Sequence, residues 1–196
     1  MSKVKSVSYT RAHRILHWLI AGVFLFILLT VLLRQNWMNK TQMGEILAAK
    51  LSEKGIALTK ADAAKIGKAI RYPMWRWHVW AGYVLIGLYI IRMLVFRFQG
   101  VTFKSPFKKH LIAKERLKSI IYVLFYICFA TSLLTGMLMV WSPRTAAWQQ
   151  VHHIAKLVHV QSLYYAVTFI VLHLLGLVIG ELGKDKGIIS RMVHGG

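Results

Sequence analysis

Acidic residues are nearly missing from this chain: six Asp and Glu stand against 26 Lys and Arg in 196 residues, a formal net charge of +20. Cysteine is represented by Cys128 alone, which excludes a disulfide-stapled scaffold. Charged residues of either sign are also scarce, at 16%. A charge of +20 ordinarily suggests nucleic acid, whose phosphates are met by clustered Lys and Arg. Here uncharged apolar blocks separate the basic residues, so no nucleic-acid partner is expected. A mean hydropathy of +0.51 excludes intrinsic disorder, which requires a chain too polar to bury a core. The length allows one domain covering 1–196. What remains is a basic membrane protein.

Four apolar blocks carry that reading, at about 15–33, 74–96, 119–141 and 157–182. The first has 19 residues without a full charge, close to the roughly 20 needed to cross a bilayer core of about 30 Å. It is too long for the apolar part of a cleaved signal, and no small-residue cleavage site follows, so it is read as a span. Lipid offers no partner to a free backbone group, so each span must be helical. The expected fold class is all-α: an integral membrane four-helix bundle with a short helical insert between helices 1 and 2.

Basic residues in tails and short loops set the orientation. Four lie in the N-terminal tail, seven between spans two and three, and three in the C-terminal tail, whereas Arg144 and Lys156 alone fall between spans three and four. Both termini are therefore expected in the cytoplasm. Trp37, Trp75, Trp77, Trp80, Trp141 and Trp148 then gather at the periplasmic interface, as an aromatic belt would. The polar stretch 39–71 lies on that side. Gly55 reads as a stop in its middle, and Thr59-Lys60-Ala61-Asp62 as a capping-box variant opening a second helix that ends before Pro73. Two short helices outside the membrane are expected; a flexible basic linker is the alternative. Nine basic and three acidic residues in 34–76 leave a net +6 that topology does not explain. That patch would dock an acidic partner or steer an anion.

Histidine placement carries the chemistry. His17 opens span one and His78 opens span two, while His159 and His173 fall 14 residues apart in span four. At 3.6 residues and about 1.5 Å per residue, the last two share a face and stand roughly 21 Å apart. Threading the topology puts His17 at the depth of His173 and His78 at the depth of His159. Two layers of two imidazoles suit two bis-histidine irons stacked across the membrane, with flat macrocycles between helices. A histidine hydrogen-bonded across a helix interface is the ordinary alternative for any one of them. Zinc fits poorly, because a tetrahedral site wants four close ligands. His13, His110, His152, His153 and His194 read as surface residues, with His152 a candidate for lining an entry to the outer site.

Ile15-Leu16-His17-Trp18, His78 with Gly82 four residues on, and the His159 to His173 spacing together resemble the bacterial cytochrome b561 and nickel-iron hydrogenase b-type cytochrome family. The resemblance covers all four spans. It implies two haem b groups as cofactors, one on His17 and His173 toward the cytoplasm, the other on His78 and His159 toward the periplasm. It also implies electron transfer between the membrane quinone pool, ubiquinone or menaquinone, and a periplasmic redox protein. One branch resembles superoxide oxidase, which reduces ubiquinone and is the alternative reading. The 33-residue insert departs from that compact branch and suggests a protein partner. A histidine-based metal or proton transporter is a remoter alternative.

Arg92 lies 14 residues after His78, on the same face but at the inner layer. A cation there would pair with the propionate carboxylates of the inner haem, or else snorkel to lipid headgroups. Gly22, Gly82, Gly87 and Gly136 would permit close approach of a macrocycle or of a neighbouring helix. Cys128, in mid-span, reads as an apolar filler.

Overall fold

The computed structural model describes residues 10–98, 112–141, 145–183 and 186–195. Every regular element among them is helical: α1 Arg11–Gln35, α2 Lys40–Ser52, α3 Lys60–Ile70, α4 Tyr72–Phe98, α5 Ala113–Trp141, α6 Ala146–Val160, α7 Ser162–Leu182 and α8 Ile188–Val193. They form two compact units, Met1–Leu19 with Leu88–Gly196, and Ile20–Gly87.

Among the described residues, four stretches are long and apolar enough to cross a membrane: Arg11–Gln35, Tyr72–Phe98, Glu115–Trp141 and Trp148–Leu182. A helix of 25 residues is about 37 Å long, more than the hydrocarbon core requires. Their surfaces are apolar: Leu19, Leu25, Leu29, Leu134, Leu172, Leu175 and Ile179 are all exposed. In water such a surface would be an aggregation site; in lipid it is solvated, and the helices close all their interior backbone hydrogen bonds.

The fourth span differs from the expected single helix beginning near 157. Helix starts at Ala146, so Lys156 stands on α6 rather than in a loop, and so do His152 and His153. The chain then breaks at Gln161, where Gln161 N–H donates to Val158 O and Tyr164 N–H to Gln161 O, both three residues apart. Three-residue spacing tightens the turn and interrupts the α-helical ladder. The hydroxyl of Ser162, the first residue of α7, is bonded to that of Ser132 on α5, which ties the break to its neighbour.

In the unit Ile20–Gly87, the insert is a helical hairpin. The Asn39 side chain accepts from Thr41 N–H to open α2, and Thr59 Oγ1 accepts from Asp62 N–H to open α3. Thr59 Oγ1 also donates to Asp62 at 2.7 Å and Lys65 bonds it at 3.0 Å, and together they hold that exposed carboxyl below its usual range. Gly55 takes φ +75° after α2, a left-handed conformation that favours glycine. The hairpin closes because α2 and α3 meet backbone to backbone. A Cβ at Gly44 would run into the Ala63 carbonyl, and one at Gly67 into the Lys40 carbonyl. α4 follows directly, with Pro73 in its first turn, where its missing N–H costs nothing.

In the other unit, α5 packs on α7 through aromatic rings and meets α6 at His159. Phe125 of α5 stacks on Phe169 of α7 with centroids 3.6 Å apart and planes 15° from parallel. The short α8 returns to the start of α1: Arg14 Nη1 donates to Val193 O and Trp18 Nε1 to Met192 O.

Candidate haem-binding sites

His17 of α1 and His173 of α7, 156 positions apart in the chain, face each other. Their ring centroids are 6.3 Å apart and their planes are inclined by 50°. A metal-bound imidazole nitrogen lies about 2.0–2.1 Å from the metal. Two such bonds on opposite sides of one atom, with about 1.1 Å from nitrogen to ring centre at each end, give a centroid separation of roughly 6.3 Å. The pair is thus spaced for a single metal ion between two rings. His173 stacks on Phe169, with centroids 5.6 Å apart and planes 14° from parallel, and its Nδ1 lies 3.4 Å from the Tyr122 hydroxyl. These neighbours hold the ring plane.

Beside this pair lies Arg92, only 7% exposed although it is charged and within a span. Its Nη1 donates to the His13 carbonyl at 3.1 Å, its Nη2 lies 3.2 Å from His13 Nε2, and its guanidinium covers the Phe96 ring at 4.6 Å. A carbonyl, an imidazole nitrogen and an aromatic face are all neutral partners. Burying a cation among neutral groups is costly, so the arrangement is suited to an anionic group such as a haem propionate.

In the unit Ile20–Gly87, His78 of α4 places Nδ1 2.9 Å from Thr30 Oγ1 on α1. Trp75 stacks flat on the His78 ring, 4.6 Å between centroids and 5° between planes, and the Arg34 guanidinium covers Trp75. In the other unit, His159 of α6 turns Nδ1 toward the Ser132 carbonyl at 3.0 Å and Thr135 Oγ1 at 3.3 Å, both on α5. Histidines that ligate metals commonly donate the second ring N–H to a carbonyl or hydroxyl in this way, so that Nε2 is the ligating nitrogen. Four long apolar helices with histidines so held match one family. The prokaryotic cytochrome b561 family model covers residues 8–195. The chain belongs to the prokaryotic cytochrome b561 family. No curated protein and no solved structure matches it.

It is therefore a multi-pass membrane b-type cytochrome, a haem b protein that transfers electrons. Within this cytochrome, α5 is the helix that both histidines of the fourth span face: His159 meets Ser132 and Thr135, and His173 meets Tyr122. On either side of the break at Gln161, α5 supplies a polar group to each histidine. Gly136 makes room for the His159 ring, since a Cβ there would sit 2.9 Å from His159 Cε1. Between the two levels run Phe169, Phe125 and Tyr165, and Tyr165 donates to Ser132 Oγ at 2.7 Å.

His13 is not the surface residue expected from its position near the chain start. Arg92 bonds both its carbonyl and its ring, and Phe96 lies 6.1 Å away. The signal for this was present: His13 is one helical turn before His17, so the two share a face. Arg92 is buried and bonded to His13 rather than exposed at the helix surface. His153 and His194 are exposed, His152 is half-buried, and His110 lies outside the described residues. Cys128 is a free, half-buried thiol. Sequence reasoning passed over Thr30 and Thr135, because a Thr within an apolar run gives no sign of what it faces.

Proposed function

We propose that this cytochrome carries two haem b groups, one between His17 and His173 and one between His78 and His159. On this reading it moves electrons across the bacterial inner membrane between the quinone pool and a redox protein that docks on the 39–71 insert. The observation that carries the reading is the 6.3 Å separation of the His17 and His173 rings. When bound, haem b supplies a one-electron ferric/ferrous couple. The chain's own work is to hold, orient and insulate. Imidazoles from separate helices fix the position, and Arg92 offers charge to a carboxylate. The apolar spans keep water away, and Tyr122, Thr30, Thr135 and Ser132 set ring orientation.

The surplus of basic residues in tails and loops supports cytoplasmic termini, with the α2–α3 hairpin on the periplasmic side. Two of the hairpin's acids are already engaged, Glu53 with Lys50 at 2.8 Å and Asp62 with Lys65 at 3.0 Å. Its field is therefore set by the other lysines, which favours an acidic protein partner. The test is reoxidation of the reduced, haem-loaded protein by short-chain ubiquinone and menaquinone analogues. At least one should reoxidise it fully; a protein that stays reduced with both overturns the quinone link. Quinone reduction that requires supplied superoxide would instead establish the superoxide oxidase reading.

A further inference from the structure

We propose that Thr30 and Thr135 are positioning residues that fix the tautomer and ring orientation of His78 and His159, so that each ligates iron through Nε2. The inference rests on the ligand assignment above. Among the described residues, the buried polar or charged side chains are Thr30, Arg92 and Thr135, at 3%, 7% and 9% exposed. Both threonines meet a histidine of the outer pair, at 2.9 and 3.3 Å from Nδ1.

A hydroxyl has one proton to donate and lone pairs to accept with. Thr30 spends its proton on the Ile27 carbonyl at 2.6 Å. Thr135 spends its own on the Thr131 carbonyl at 2.8 Å, with the Ser132 carbonyl at 3.1 Å. Each Oγ1 therefore faces its imidazole as an acceptor, and Nδ1 carries the N–H; in His159 that N–H is shared between Thr135 Oγ1 and the nearer Ser132 carbonyl at 3.0 Å. In the neutral ring this leaves Nε2 with its lone pair, the state a metal ligand requires. The same device occurs once in each unit, on α1 for α4 and on α5 for α6.

Back-bonding to the helix's own carbonyl is ordinary for a threonine in a membrane helix. Thr131 shows the ordinary case: it donates to the Ile127 carbonyl at 2.9 Å, but it is exposed. Burial against an imidazole is what sets Thr30 and Thr135 apart. An accepted Nδ1–H bond makes the imidazole a stronger donor to iron, which favours the ferric state and tightens binding.

The experiment uses the full chain, loaded with haem in detergent, and compares Thr30→Val, Thr135→Val and Thr131→Val. Midpoint potentials are read by optical redox titration, and haem loss by transfer to apomyoglobin. Thr30→Val and Thr135→Val should each raise the same one of the two midpoints and speed loss of that haem by about 10–100-fold. Thr131→Val should change neither, and Thr30→Ser and Thr135→Ser should restore wild-type values. Should a Val variant fold poorly, Thr30→Ala and Thr135→Ala carry the same expectation with less bulk. Wild-type midpoints and loss rates in the Val and Ala variants overturn the inference. If His78→Ala and His159→Ala keep the full haem count, the ligand assignment itself fails. If each loses one haem while the threonine variants behave as wild type, only the threonine role fails.

Discussion

Gly136 backs directly onto His159: the methyl of an alanine at 136 would stand 2.9 Å from the ring carbon Cε1. The His159 ring is also held from Nδ1 by the Ser132 carbonyl, so it has little freedom to retreat. Gly136→Ala should cost about 1–3 kcal/mol through overpacking. Thermal unfolding in detergent measures the loss. The absorption band of one haem should change while that of the His17–His173 site stays as it was. An unchanged melting curve would show that the ring moves aside freely.

Arg92 presents a buried cation to neutral partners, and an anionic haem edge would satisfy it. A nearby cation favours the more electron-rich ferrous state, so Arg92→Gln should lower one midpoint by on the order of tens of millivolts, where 59 mV is tenfold for one electron. Redox titration of the variant checks both the sign and that a single haem is affected. Unshifted midpoints would make Arg92 a purely structural contact for His13.

The hairpin closes on two glycines, with Ala63 buried between its helices. Cβ atoms at Gly44 and Gly67 would meet backbone atoms, which cannot swing aside. Gly67→Ala should therefore separate α2 from α3 at a cost of at least about 1–3 kcal/mol. Limited proteolysis should cut the variant within 39–71 faster than wild type while its haem content is unchanged.

Docking on that hairpin predicts a salt dependence. Lys54, Lys60 and Lys68 take part in neither of the hairpin's ion pairs. Neutralising all three should slow reduction by an acidic protein donor about tenfold or more at low ionic strength. The difference should vanish at high salt. Stopped-flow rates at two salt concentrations decide it, and rates equal at low salt would leave the patch a solvated face.

The spans were legible because lipid exposure demands long apolar runs, and the histidines because a polar ring at membrane depth stands out. The pairing of His17 with His173 followed from depth alone. What the chain's one-dimensional pattern concealed was lateral. Nothing in the run 15–33 marks Thr30 as facing His78, and nothing local to His13 announces Arg92, 79 positions away. The break at Gln161 is joined to α5 by Ser162 meeting Ser132, a contact between helices. The capping of α3 by Thr59 was readable because it is local. The interlock of Gly44 with α3 was not, because a glycine shows its use only against the backbone it touches.

Haem stoichiometry tests the central claim most directly. Pyridine haemochrome analysis of purified, haem-loaded protein should give two haem b per wild-type chain. It should give one per chain in each of His17→Ala, His173→Ala, His78→Ala and His159→Ala. The first two variants should lose one spectral species and the last two the other. A wild-type chain with a single haem, or four variants that all retain the wild-type count, would contradict the account.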